Sequence, residues 1–434
     1  MKLTRFIFLL LMALATVHSA RAQSEAPLAI VLTADGPIMP PMLEYFKRGI
    51  ENAERRNAEV IIIELNTPGG SVDTMLEIIK VMGDSRVPVV VYVAPNDAIA
   101  GSAGALITMA GHASAMAPRA AIGAASPVES TGADIQSTME AKVKEILKAK
   151  ARIMVERRGA EALELAEAMI DDAKAVTASE ALESKLIDFI SDDTEQLLEQ
   201  LDGFTVQTSD GEHTLNTERI RTEPLDMSFI EKFLLLLTDP NISFLLLAIG
   251  VQAILIEISS PGGWVAGFIG AVCLTLAVYG MGVLPVNWFG ILFLIMAFVL
   301  FILDIKAPTH GALTTAGVAS FIVGALVLFN SPGTPQFQRV SVPLVVSVGI
   351  FIGALFFVIL IFALRAQHTP IQMGAESLLG KTGTARTSIK EAGQVQLESE
   401  LWSAERSSES DSIGKGDKIE VVEVRGLRLI VKKK

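Results

Sequence analysis

Two short stretches combine the residue types that acyl transfer needs. The first is Asn66-Thr67-Pro68-Gly69-Gly70, directly after an apolar run ending at Leu65. The second is Gly101-Ser102-Ala103-Gly104, a few residues after the run ending at Val93 and opening a helix-like stretch to Ala110. Glycines at strand-to-helix turns leave backbone amides unhindered, a site for a developing oxyanion. A serine at a helix start has its hydroxyl near the positive end of the dipole and near free amides. Together they supply a nucleophile and two sources of amide donors. Each alone is common: Pro261-Gly262-Gly263 repeats the glycine pair inside the apolar half, and small residues around Ser102 would also permit close helix packing.

A serine nucleophile needs a base. Of the histidines beyond the leader-like start, His310 and His368 belong to the apolar half, His213 lies in a polar stretch, and His112 follows Ser102 too closely to fold back over it. Lysine serves instead where burial disfavours the ammonium. The helical stretch Ile135 to Arg158 offers Lys142, Lys144, Lys148 and Lys150, each of which is on its own an ordinary solvated charge. The one cysteine, Cys273, lies in an apolar run, so neither a disulfide framework nor a cysteine nucleophile is expected.

The elements that must position these residues alternate in type. Leu28 to Thr33, Val60 to Leu65 and Val87 to Val93 are apolar runs suited to strands buried on both faces. Pro41 to Arg56 and Ser71 to Met82 have helical spacing. The fold class of residues 23–190 is therefore α/β with parallel crossovers. Residues 191–226 are polar and read as a linker, helical in part around Thr194 to Leu201, followed by an interfacial piece from Phe229 to Leu237.

Beyond that the chemistry of the chain changes. Of 434 residues, 50% are hydrophobic and 19% charged. From Ile242 to Leu364 the only charges are Glu257, Asp304, Lys306 and Arg339. A bilayer accounts for this. Five apolar segments follow one another: Ile242–Ile256, Trp264–Val283, Trp288–Ile305, Gly311–Phe329 and Val342–Leu364. The first is marginal against the ~20 residues a span needs. Residues 227–365 thus form an all-α membrane domain of about five spans. At the start, Lys2 and Arg5, the apolar Phe6 to Ala15 and Ala20-Arg21-Ala22 have the form of a signal peptide over residues 1–22. Export through five crossings puts the N-terminal domain outside the cytoplasm (periplasmic) and the C-terminus inside, in a multi-pass inner-membrane protein. Residues 374–434 carry short strand-like pieces between Gly and Ser turns and suit a small all-β, OB-like barrel. Its eleven Lys and Arg against ten Asp and Glu form no basic stripe. With a net charge of −12 for the whole chain, nucleic acid is not an expected partner.

From Val60 to Ile190 the chain resembles the long form of the NfeD membrane-protease family, relatives of the Clp and signal-peptide-peptidase folds. The matching stretches are Ile62 to Gly70, Gly101 to Gly104, Ala115-Met116-Ala117-Pro118 with Ile122 to Ala125, and Ala178 to Leu182 running on to Lys185-Leu186-Ile187-Asp188. Leu237-Thr238-Asp239-Pro240 and Trp402-Ser403-Ala404 extend it over the membrane part and the barrel. The resemblance implies a Clp/crotonase-like fold and a Ser–Lys dyad: Ser102 as nucleophile, Lys142 as base with Lys144 as the alternative. It places Gly70 and Ala103 as oxyanion donors, with Gly69 shaping the turn. The histidine of Clp-type relatives has no counterpart near Ala125 to Pro127. The implied activity is a membrane-anchored serine endopeptidase, without metal or cofactor, that cuts apolar segments of membrane-associated proteins. The implied partners are a stomatin-like (SPFH) protein and a second copy or more of the chain. A scaffold that binds the same partners without cleavage is the alternative. A crotonase-type acyl-CoA enzyme is disfavoured by export.

Overall fold

The computed structural model describes residues 26–127, 137–259, 263–307, 309, 311–331, 334–367 and 375–434. The leader expected at residues 1–22 lies outside the described residues, as do His310, His368, and Pro261 and Gly262.

The N-terminal domain is built on a six-stranded, all-parallel sheet. In chain order its elements are β1 (Leu28–Asp35), α1 (Pro40–Arg55), β2 (Val60–Asn66), α2 (Val72–Gly83), β3 (Val89–Val93), β4 (Ile99–Gly101), α3 (Ala103–Ala110), β5 (Ala113–Met116) and β6 (Ala121–Gly123). There follow α4 (Ser137–Val155), α5 (Ala160–Asp171), β7 (Ala175–Thr177), α6 (Ala178–Glu183), β8 (Phe189–Ile190), α7 (Thr194–Leu201), β9 (Thr205–Thr208), β10 (Gly211–Thr214) and β11 (Arg221–Pro224). The sheet order is β11-β1-β2-β3-β5-β8. Every residue of β3 is buried, as are the first four of β2, because helices cover both faces. A small sheet, β4-β6-β7, stands beside the carboxyl ends of β2 and β3, where open α/β sheets place their sites.

Residues 191–226 correct the expectation of a linker. Leu197, Leu198, Leu201, Val206 and Leu215 are buried in the domain core, and β11 pairs with β1 as the edge of the main sheet. A stretch of mixed polarity here folds because only one residue in a few points inward.

The junction to the membrane part is pinned. Helix α8 (Phe229–Leu237) opens with a capping box between Ser228 and Glu231. The Arg48 guanidinium donates to both Glu231 carboxylate oxygens at 2.8 Å, and also to the Asp226 carbonyl. The Tyr45 hydroxyl donates to the Leu225 carbonyl at 2.6 Å.

Five apolar helices follow: α9 (Pro240–Ser259), α10 (Val265–Val283), α11 (Phe289–Lys306), α12 (Ala312–Phe329) and α13 (Val342–Gln367). The first is longer than its sequence pattern alone implies, 20 residues, because Pro240 takes the first helical position behind Asp239. Among the described residues, four helices are long and apolar enough to cross a membrane, α11 being the shorter one. Phe268, Phe289, Leu292, Ile350 and Phe351 are exposed, an outward apolar face that suits hydrocarbon. Small residues let the helices approach: Gly250 and Gly270 lie against Leu274 and Ile254, and Gly290 against Gly324 and Leu328.

The C-terminal domain is a closed barrel, β12-β13-β14-β16-β15, with strands β12 (Thr382–Ala385), β13 (Ala392–Leu397), β14 (Glu400–Arg406), β15 (Lys418–Arg425) and β16 (Arg428–Lys433). The stretch Gln394 to Ser403 is a hairpin that turns at Glu398. The barrel has its own core of Ala385, Ile389, Val395, Leu397, Ala404, Ile419 and Val431.

Candidate active site

Ser102 stands where β4 ends and α3 begins. Its backbone has φ 50° and ψ −112°, a conformation that L side chains rarely adopt and that costs about 1–3 kcal/mol. The turn is held by neighbours on both sides: the Ser102 N–H donates to the Gly123 carbonyl at 2.8 Å, and Gly101 is in register with Gly123 across β4 and β6. Although Ser102 is the N-cap residue of α3, its hydroxyl makes no capping bond. Among the described residues the hydroxyl has no hydrogen-bond partner. Serines at this position ordinarily cap, so the strained turn points the oxygen elsewhere.

The second glycine-rich turn lies against it. Gly69 has φ +122°, and a Cβ placed there would sit 2.7 Å from the Ser102 Cβ and 3.3 Å from its Oγ. Gly70 is equally constrained, since a Cβ there would fall 2.1 Å from the Ile38 carbonyl oxygen. The loop is stitched to its surroundings by Ile38 N–H to Gly69 O (2.8 Å), Ser71 N–H to Ile38 O (2.9 Å) and Gly101 N–H to Thr67 O (2.9 Å). The buried Thr67 hydroxyl donates to the Gly69 carbonyl at 3.2 Å and accepts the Gly69 N–H at 3.1 Å. These bonds leave the N–H groups of Gly70 and Ala103 without a partner among the described residues. Ala103 is the first helical residue and has no intrahelical acceptor.

Ser102 and Gly70 line one cleft of about 790 Å³, together with Pro68, Ser71, Asp73, Ser126 and Val143. The other two serines there are engaged: Ser71 Oγ caps α2 by accepting the Thr74 N–H, and Ser126 Oγ donates to the Ile170 carbonyl at 2.7 Å. Ser102 is the uncommitted one. Thr67 and Gly123, which hold the two turns, are the residues that sequence reading passed over. Both lie inside stretches matched to the family, and a Cβ at Gly123 would meet the Lys174 carbonyl oxygen at 2.2 Å, but residue type alone assigned neither a role.

The lysines are placed differently. Helix α4 turns Leu147, Ala151 and Val155 into the core and presents Val143 to the cleft. Lys142 is exposed and does not line the cleft. Lys144 is half-buried, paired with Glu140 at 2.9 Å and donating to the Asp171 carbonyl at 3.3 Å. Lys148 bridges Glu145 and Asp171, which hold its ammonium above the ordinary lysine range. Ser102, Gly69, Gly70 and Ala103 are thus brought together, and Lys142 is not brought to them. His112 is no base either: it is buried, its Nδ1 accepts the Val89 N–H at 2.9 Å, and burial, with Arg157 nearby, lowers its pKa to about 4.

A strained serine between two amide-bearing turns on a parallel α/β sheet, followed by apolar helices and a small barrel, defines a membrane protein with a Clp-like N-terminal domain. Three family profiles match in order: the NfeD1b N-terminal domain over residues 33–212, the NfeD integral membrane domain over 241–362, and the NfeD-like C-terminal, partner-binding domain over 375–433. The chain is 34% identical over 406 residues to the membrane-bound protease PH1510 of Pyrococcus horikoshii, covering 91% of each chain. It is 27% identical to membrane protein NfeD1b of Bacillus subtilis, covering 95% of this chain and 94% of that one. Among solved structures, a lysine-to-alanine variant of the 1510-N membrane-bound stomatin-specific protease, in complex with a substrate peptide, is 31% identical with a TM-score of 0.46, covering 50% of this chain and 99% of that one. The chain belongs to the NfeD family.

Proposed function

We propose that this chain is a membrane-anchored serine endopeptidase that uses Ser102 and a lysine of α4, Lys142 in the first place, to cut apolar segments of membrane-associated proteins. The reading rests on one observation above the others: the Ser102 hydroxyl is held in a strained turn, without a partner among the described residues, beside Gly69 and Gly70. The protease named among its relatives supports the same reaction.

In the mechanism, the neutral amine of Lys142 takes the hydroxyl proton as Ser102 Oγ bonds to the peptide carbonyl carbon. The carbonyl oxygen becomes an oxyanion, met by the N–H groups of Gly70 and Ala103. When the tetrahedral centre collapses, the C–N bond breaks and the leaving amine takes the proton from the lysine. The same amine then deprotonates a water that bonds to the ester carbon; the C–O bond to Ser102 breaks, and Oγ takes the proton back from the lysine. Each donor is worth about 3 kcal/mol of barrier. For Lys142 to serve, the start of α4 must turn its side chain inward, on substrate or on a second copy of the chain.

The partner we propose is a stomatin-like protein, the kind of target for which the 1510-N relative is named, with the barrel as its binding module. A second reading, a scaffold that binds without cleaving, draws on the exposed position of Lys142.

The test is fluorophosphonate labelling with peptide hydrolysis on the full chain. Ser102→Ala should lose both, and Lys142→Ala should lose hydrolysis. Loss in Lys144→Ala alone moves the base by one lysine. Wild-type hydrolysis by Ser102→Ala refutes the reading.

A further inference from the structure

The cleft that holds Ser102 has a far wall that the N-terminal domain does not supply. Besides Ser71, Asp73, Ser102 and Ser126, the cleft is lined by Leu284, Val286, Trp288, Phe337 and Gln338. These come from the two connections α10–α11 and α12–α13. Leu284 and Val286 are firmly seated, at 5% and 8% exposure, while Trp288 is 60% exposed at the start of α11. A tryptophan so placed on an apolar helix marks the water–bilayer boundary. Helix α8, which leads into α9, carries Phe229 and Ile230 at 82% and 67% exposure, an outward apolar face fitting such a boundary. Phe337 and Gln338 also border a second cavity of about 560 Å³ that reaches Pro68 and Met39 on one side and Leu235 and Leu236 on the other. That short turn therefore borders the glycine loop and the end of α8 alike.

We infer that these two membrane-domain connections are the specificity wall of the protease. They receive apolar side chains flanking the scissile bond, so the substrate is a chain segment leaving the bilayer surface rather than a free polar peptide. This rests on the reading of Ser102 as nucleophile. The reasoning is one of desolvation. A peptide lying between the two walls reaches Ser102 and the amides on one side and on the other loses water against Leu284, Val286, Trp288 and Phe337. Apolar side chains gain from that transfer, and polar ones lose hydrogen bonds to water with only Gln338 to replace them. The membrane half is then part of the active site and not merely its anchor.

The test uses the full chain in lipid vesicles with two peptides that share one scissile bond, one flanked by Leu, Val and Phe and the other by Ser, Thr and Asn. The readout is the ratio of kcat/KM, apolar over polar, with fluorophosphonate labelling reporting whether the Ser102 hydroxyl still reacts. Phe337→Ser and, separately, Trp288→Ser should lower the ratio at least ten-fold and two-fold respectively, and Phe337→Leu should restore it. A ratio unchanged in both serine variants, with hydrolysis still abolished by Ser102→Ala, overturns the inference and leaves the nucleophile standing. Equal losses for both peptides with slowed labelling overturn it too, as collapse of the cleft. Hydrolysis surviving in Ser102→Ala fails the nucleophile itself.

Discussion

Arg48 and Glu231 lie 183 residues apart in sequence and meet in a two-pronged ion pair at 2.8 Å, joining α1 of the N-terminal domain to the first turn of α8. Glu231 is 8% exposed and also accepts the Ser228 N–H at 2.6 Å. Since α8 runs directly into α9, this pair sets where the membrane helices start relative to the cleft. Burial pushes the Glu231 carboxyl up, and the bonds from Arg48 and Ser228 outweigh it, leaving it below the ordinary carboxylate range. A carboxyl with a depressed folded pKa stabilises above its unfolded pKa, about 4.3, and loses that contribution as pH falls through the folded value. Glu231→Ala should cost about 2–3 kcal/mol, since Arg48 and the cap lose their acceptor together. Limited proteolysis near Asp226 should quicken in the variant at pH 7 and in the wild type only in strong acid. Equal cleavage of both at pH 7 would contradict the role.

Ser102 provides a second prediction, from backbone strain rather than chemistry. Its φ of 50° and ψ of −112° suit glycine. Ser102→Gly should therefore lose all hydrolysis yet melt at or above the temperature of Ser102→Ala, because about 1–3 kcal/mol of relieved strain offsets the extra freedom of the unfolded chain. A midpoint clearly below that of Ser102→Ala would mean the turn is not strained.

The contact between Gly69 and Ser102 leads to a third. A methyl at Gly69 would sit 2.7 Å from the Ser102 Cβ in a backbone conformation, φ +122°, that disfavours side chains. Gly69→Ala should push the nucleophile from its place, lowering kcat/KM by at least a hundred-fold, with a destabilisation of about 1–3 kcal/mol. Steady-state kinetics beside thermal melting separates the two. Unaltered kinetics would show that the glycine is there for the turn alone.

Much of this was legible in the chain because the physics is local. The runs in β2 and β3 are continuous since both faces of the sheet are covered, and the two glycine turns announce themselves by residue type. The sheet's outer edge did not: β11 has a mostly exposed pattern, and the strand is recognised only by its pairing with β1. The hairpin inside the barrel turns at Glu398, a non-glycine residue with φ 51°, so no turn signal breaks the run. Spacing along α4 names four lysines but not the face that each takes. That face is set by Leu147, Ala151 and Val155 entering the core, which carries Val143 to the cleft and Lys142 to solvent.

His112 gives the clearest pH dependence. It is 7% exposed, its Nδ1 accepts the Val89 N–H at 2.9 Å, and burial, with the Arg157 guanidinium beside it, lowers its pKa to about 4. The folded protein therefore keeps the ring neutral in a range where the unfolded chain, at about 6.5, binds a proton. Stability from this group is complete above pH 6.5, declines as pH falls toward 4, and stays constant below that, a total loss of order 3 kcal/mol. Asparagine can still accept the Val89 N–H but does not titrate. His112→Asn should thus flatten the fall in melting temperature between pH 7 and pH 5, where few carboxyls change charge. Parallel melting curves for the two proteins across that interval would show that the ring titrates normally when folded.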